Sequence, residues 1–157
     1  MTAGAARRDI TDRKDIASLV TAFYRRAFAD DILGPIFLDI AHMDLPAHLP
    51  IMCDFWETVL FRTGRYRGSA LVAHRDVHDR TPLTGSHFVR WLRIWYATVD
   101  EMYDGPAAER AKVQATRIAW AMQRRLTGVD ARELDALLAA DPLRLQSSRA
   151  GPALDRT

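Results

Sequence analysis

A single cysteine, Cys53, stands in the 157-residue chain, which excludes an internal disulfide. One lone thiol in a chain of this size fits a reducing compartment, and beside Met52 it reads as a small buried hydrophobe. Lysine is almost missing: Lys14 and Lys112 are the only two among 22 basic residues, and arginine supplies the rest. Those arginines scatter over every segment, so the skew reads as coding bias and not as a nucleic-acid stripe. Set against 20 acidic residues they leave a net charge of +2, which gives no electrostatic case for nucleic acid or an anionic membrane. No apolar run approaches the roughly 18 residues of a membrane span. Met1 to Ile10 lacks the apolar stretch of a secretory leader. The expectation is a cytoplasmic protein with neither a membrane nor a nucleic acid as partner. Strand-like alternation and internal repeats are missing as well.

What remains is an ordinary globular composition, 48% hydrophobic and 27% charged. Its length suits one domain, and a chain of this size buries roughly 68–70% of its unfolded surface, enough for a core that also encloses a small ligand. Helical periodicity runs almost throughout. From Thr11 as N-cap, Ile16, Leu19, Val20, Phe23, Tyr24 and Ala27 keep the i, i+3, i+4, i+7 rule of a core-facing helix, which fades at Asp30-Asp31. Leu33-Gly34-Pro35-Ile36-Phe37 offers Pro35 as the start of a short helix. Past Pro46 and Pro50, a third helix carries Leu49, Met52, Phe55, Trp56, Val59 and Leu60 and stops near Gly64. Gly68 to Val77 reads as a shorter helix. Phe88, Trp91, Leu92, Trp95, Val99 and Met102 form one unbroken stripe. After Gly105-Pro106, the last long helix runs from Ala108 to Leu126. A small helix over 131–140 follows, and the polar tail 141–157 is expected to be disordered. The fold class is all-α, with five to seven helices of unequal length.

Several polar side chains lie on faces where packing alone prefers Leu or Phe. His74 has Leu71 one turn before it and Val77 nearly one turn after. It is either a hydrogen-bonded core histidine or a metal ligand whose second ring nitrogen bonds a backbone carbonyl. Tyr24 is buried beside Phe23 or reaches solvent with its tip, and if buried its hydroxyl needs a partner. Trp91 raises the same alternatives through an indole N–H that only donates. His48 and Met52 share a face near the start of the third helix. His78 lies one turn beyond His74, so both face one side.

Taken in order, Phe23-Tyr24, Leu33-Gly34-Pro35-Ile36-Phe37, His48 to Trp56, Tyr66-Arg67-Gly68 leading to Ala73-His74, and Phe88 to Leu92 resemble a truncated haemoglobin of the third group. The resemblance covers about residues 15 to 125, and the lack of any Gly-Gly pair suits that group better than the other two. It implies a truncated globin fold, a two-over-two helical sandwich enclosing haem b (iron protoporphyrin IX), with an extra C-terminal helix or tail. The implied division is a flexible N-terminus over 1–10, a globin domain over 11–128, a short helix over 129–140 and a disordered tail over 141–157.

By the same resemblance His74 is the proximal iron ligand, and Phe37 packs on the porphyrin. Tyr24 and Trp91 are the distal donors, His48 the distal or gating histidine, and Met52 the apolar distal residue. Trp56 is the tryptophan characteristic of the group, Tyr66 and Arg67 lie near the propionates, and Leu71 flanks the pocket. Arg75 departs from the pattern where an apolar residue packs better. The ligands implied are dioxygen, nitric oxide and carbon monoxide. Two hydrogen-bond donors facing a polar ligand slow its escape, which suits oxygen and nitric-oxide chemistry or scavenging better than transport. Conversion of dioxygen plus nitric oxide to nitrate, or peroxidase-like cleavage of hydrogen peroxide with His48 moving protons, are the candidate reactions, with an outside reductase as partner. One rival is a non-haem zinc enzyme using His74 and His78 at i, i+4 with His48 or Asp76. The other is a cofactor-free module that binds a partner helix through its tryptophan-rich stripe.

Overall fold

The computed structural model describes residues 6–64, 66, 74 and 77–127, and all regular structure among them is helical. The short helix expected over 68–77 lies mostly outside the described residues, as do the helix over 131–140 and the tail.

Helix α1, Arg13–Ala29, buries Ile16, Leu19, Val20, Phe23, Tyr24 and Ala27, the face expected from its periodicity. Its N-cap is Asp12, whose side chain accepts the Asp15 amide at 3.0 Å. Thr11, the expected cap, instead donates its amide and hydroxyl to the Asp15 carboxylate at 2.9 and 3.0 Å. The Asp12 carboxylate thus satisfies an orphan amide of the first turn while Asp15 ties down the residue before the cap, and the start moves by one residue.

The Asp30 carboxylate ends α1 by accepting the amides of Ile32 and Leu33 at 3.0 and 2.9 Å. The chain restarts as the single turn α2, Leu33–Pro35, and widens into a π-helix over Ile36–Ile40. Gly34 is required here, because a Cβ would lie 2.5 Å from the Phe28 carbonyl oxygen. The π-helix is invisible to a 3.6-residue template, and such turns often sit at functional sites.

Helix α3, Leu45–Phe61, begins four residues before the expected Leu49. Pro50 lies inside it and forfeits only one backbone bond so near the N-terminus. Arg62 in the left-handed conformation (φ 56°) terminates α3, two residues ahead of Gly64.

Helix α4, Gly85–Met102, starts from a reciprocal cap in which Thr84 and His87 exchange hydrogen bonds. Helix α5, Pro106–Thr127, opens on a proline whose missing amide is no loss at that position. Its first free amides, Ala107 and Ala108, both donate to the Asp9 carboxylate at 2.9 Å. Gly105 (φ 147°) lets that carboxylate approach, since a Cβ would sit 2.4 Å from it. Residues 8–10 therefore pack against the domain: the Arg8 carbonyl accepts the Asp104 amide, and Ile10 is only 2% exposed. Residues 1–5 of the flexible start expected over 1–10 lie outside the described residues. An aspartate that caps a helix 98 residues away leaves no local signal.

Helix α1 packs on α3 and on α4, α4 on α5, and α5 on α3, giving two helix pairs across one core. Small residues line the buried face of α5: Ala107, Ala108, Ala111, Ala115 and Ala119. They bring its backbone close enough for the Trp95 indole N–H to donate to the Ala111 carbonyl at 3.1 Å. Trp95 stacks on Trp56 with ring centres 4.4 Å apart, and Phe23 meets Trp95 edge-on at 5.3 Å. No helix among the described residues is long and apolar enough to cross a membrane.

Candidate functional site

Tyr24 sits where three elements converge. Its ring is 6% exposed and meets Phe28 of its own helix, Phe37 of the π-helix and His48 of α3, with centres 5.7, 5.7 and 5.8 Å away. Among the described residues nothing accepts or donates a hydrogen bond at its hydroxyl. Burial pushes the phenol's pKa well above its ordinary 10.0, so it stays a protonated donor. His48 is half-buried, and burial first, then the charge of His74, hold its pKa below 6.5. Its imidazole is therefore neutral near neutral pH and keeps one lone pair.

Trp91 belongs to α4 and is half-buried. Phe23 meets its ring edge-on at 5.9 Å and the Tyr24 ring at 5.2 Å, so one phenyl ring separates the two expected donors. The Trp91 indole N–H has no hydrogen bond to a described residue, unlike that of Trp95 on the same stripe.

Met52 is half-buried against the core. Trp56 is in the core itself, stacked on Trp95. Tyr66 lies on Phe55 with ring centres 5.1 Å apart, and its amide donates to Thr58 Oγ1 at 3.1 Å. His74 is helical and exposed, within electrostatic reach of His48. Arg67 and Leu71 lie outside the described residues, as does Arg75.

His78 has a different occupation: its Nδ1 accepts the Leu83 amide at 2.8 Å. A neutral ring that accepts at Nδ1 carries its proton on Nε2 and has no second lone pair to give a metal. Among the described residues no group of three or more His, Cys, Asp or Glu is placed to hold a metal ion. An open groove of about 490 Å³ between α1 and α4 is lined by Arg26, Arg90 and Arg93, and it contains none of the expected site residues.

Phe28 is a site residue that sequence reasoning missed. It completes the aromatic wall by touching both Tyr24 and Phe37. Its position one turn after Tyr24, on the same helix face, was the available signal.

The donor set suits a flat apolar group bearing a metal and a polar ligand. Among the described residues the Tyr24 phenol and the Trp91 indole N–H have no acceptor, aromatic rings wall the phenol, and His48 stands within electrostatic reach of the exposed His74. Neither a family model nor a curated protein sequence matches the chain. Among solved structures, the chain is similar to a group III truncated haemoglobin from Campylobacter jejuni, with TM-score 0.69 and 25% identity over 77% of this chain and 95% of that one. The chain carries the truncated-haemoglobin fold, matched within the third group.

Proposed function

We propose that the chain is a haem protein that binds dioxygen, nitric oxide and carbon monoxide. The observation that carries this reading is Tyr24, whose side chain is only 6% exposed, whose hydroxyl has no hydrogen-bond partner among the described residues, and whose ring meets Phe37 and His48. An unsatisfied buried hydroxyl costs about 1–3 kcal/mol, and a ligand that accepts its hydrogen bond removes that cost.

His74 would hold the iron, with Phe37 and Leu71 packing on the macrocycle and Tyr66 and Arg67 near its propionates. The engagement of His78 with Leu83 favours His74 over its neighbour, and it weakens the zinc alternative in the same way. Trp56, stacked on Trp95, would support the pocket from behind. Haem iron held by one histidine supplies an open position for a diatomic ligand and one-electron chemistry.

How firmly a ligand is held depends on the chain's own residues. Tyr24 O–H and Trp91 N–H each donate to a polar ligand, worth about 1.5–3 kcal/mol where the acceptor is charged. Each 1.4 kcal/mol slows escape about tenfold. Such retention suits oxygen or nitric-oxide chemistry or scavenging, with nitric-oxide dioxygenation or peroxide cleavage as the reactions and an outside reductase supplying electrons. Neutral His48 accepts or returns a proton beside Tyr24, and Met52 keeps that side apolar.

Absorption spectra of purified wild type and His74→Ala, with and without carbon monoxide, test the reading. A Soret band that shifts with carbon monoxide in the wild type and is lost or altered in His74→Ala is expected. A colourless protein after expression with haem supply, or one carrying zinc, overturns it.

A further inference from the structure

We propose that Trp91, Trp95 and Trp56, continued across Phe55 to Tyr66, form a relay that carries oxidising equivalents out of the Tyr24–Trp91 pocket to Tyr66 when peroxide is reduced there. The proposal rests on the haem reading above for its oxidant, but its path is this chain's own side chains.

Indole and phenol are the side chains most readily oxidised by one electron. Three of the four tryptophans touch in one line: Trp91 is parallel to Trp95 within 1° at 6.2 Å, and Trp95 stacks on Trp56 at 4.4 Å. The i, i+4 spacing on α4 aligns the first pair, and the packing of α3 supplies the third ring. Trp56 then meets Phe55 edge-on at 5.3 Å, and Phe55 meets Tyr66 at 5.1 Å. Phe55 is too hard to oxidise to be a station and serves as the contact between two that are not.

Protons decide where the equivalent stops. Trp95 donates its N–H to the Ala111 carbonyl, and a carbonyl does not take the proton. An oxidised Trp95 therefore keeps it, remains strongly oxidising and passes the vacancy on. Phe23 covers the edges of both Trp91 and Trp95. Tyr66 is half-buried, so its phenol releases a proton to water as it gives up an electron, and the vacancy settles there as a neutral radical.

The step balances over two passes. Hydrogen peroxide takes two electrons and two protons and leaves as two waters. Each pass removes one electron and one proton from Tyr66, and a one-electron donor such as a thiol or an enediol restores both.

The full chain loaded with haem is treated with hydrogen peroxide and a nitroso spin trap, and the adduct is mapped by mass spectrometry. Tyr66 is expected to carry it in the wild type. In Trp95→Phe the Tyr66 adduct is lost and trapping moves to Tyr24 or Trp91. Label at Tyr24 alone in the wild type, or label at Tyr66 that survives Trp95→Phe, overturns the relay.

A second measurement needs no haem: azide radicals oxidise tryptophan in the full chain, and the decay of indolyl into tyrosyl radical is followed. Tyr66→Phe, at a half-buried position, is expected to slow or abolish the first-order phase. An unchanged rate overturns the proposal. A protein without a Soret band that still shows this phase sinks the haem reading and leaves the relay standing.

Discussion

Replacing Tyr24 by phenylalanine separates a site residue from a core residue by opposite signs in two assays. The ring is 6% exposed and keeps its contacts with Phe28, Phe37 and His48 in either variant. Only the hydroxyl goes, and it has no hydrogen-bond partner among the described residues. Leaving such a group unpaired costs about 1–3 kcal/mol, and partial access to water puts Tyr24 at the low end of that range. The haem-free variant is therefore expected to gain about 1 kcal/mol of stability, or about 2–4 °C in melting temperature. In the haem-loaded protein the same change removes a donor worth about 1.5–3 kcal/mol to a charged acceptor, so dioxygen release measured by stopped flow should quicken about tenfold to a hundredfold. Stability rises while retention falls. A variant that loses stability shows that the hydroxyl is structural, and unchanged release shows that it faces no ligand. Either result refutes the reasoning.

Gly34→Ala pits two effects against each other: alanine restricts the unfolded chain, worth about 0.4–1 kcal/mol, but overpacking costs about 1–3 kcal/mol. The new Cβ would lie 2.5 Å from a backbone oxygen of Phe28 that has no freedom to swing away, so the cost wins and the melting temperature should fall. An unaltered melting curve would show that α2 shifts freely. Asp15 governs the acid limb: hydrogen bonds from Arg8, then those of Thr11, overcome burial and hold its carboxyl well below the ordinary 3.8. A folded-state value below the unfolded one means a contribution present in full above that unfolded value and lost as pH falls further. Urea midpoints followed from neutral pH to about pH 2 should drop steeply in wild type and more gently in Asp15→Asn, and parallel curves would exclude Asp15 as the cause.

Helices α1 and α4 were legible because burial repeats along their own sequence: every apolar residue expected on α1 is buried. Boundaries were less so, since caps depend on which of two neighbouring carboxylates turns inward, as at Asp12 and Asp15. The Asp9 cap of α5 and the π-helix were not legible at all. One is a contact across the chain, and the other breaks the 3.6-residue periodicity by which helices are recognised. The sequence singled out Tyr24, Phe37 and His48, and the fold brings the Tyr24 ring against the other two. His74 and His78 share a helical spacing, and the fold sets them apart by leaving His74 exposed and giving His78 the Leu83 amide. Trp91 and Trp95 are likewise equivalent by spacing, and the fold tells them apart by burying Trp95 and giving its N–H the Ala111 carbonyl.

That last distinction carries a physical rule for this core. Tyr103 donates to the Asp15 carbonyl at 3.2 Å, Tyr96 pairs with Thr116 and Trp95 with Ala111. These aromatics fix helices to one another with both ring and polar tip. Among the described residues, Tyr24 and Trp91 commit the ring alone. An unpaired tip is not sufficient to mark a site, because the buried Trp120 N–H on α5 also lacks a partner among the described residues. Tyr24 and Trp91 differ from Trp120 in flanking one phenyl ring, Phe23, from two different helices. Their separation is thus set by the packing of α1 on α4. In the proposed haem reading the two tips would donate to one polar ligand over the Phe23 ring from two helices, a pairing that Trp120 does not have.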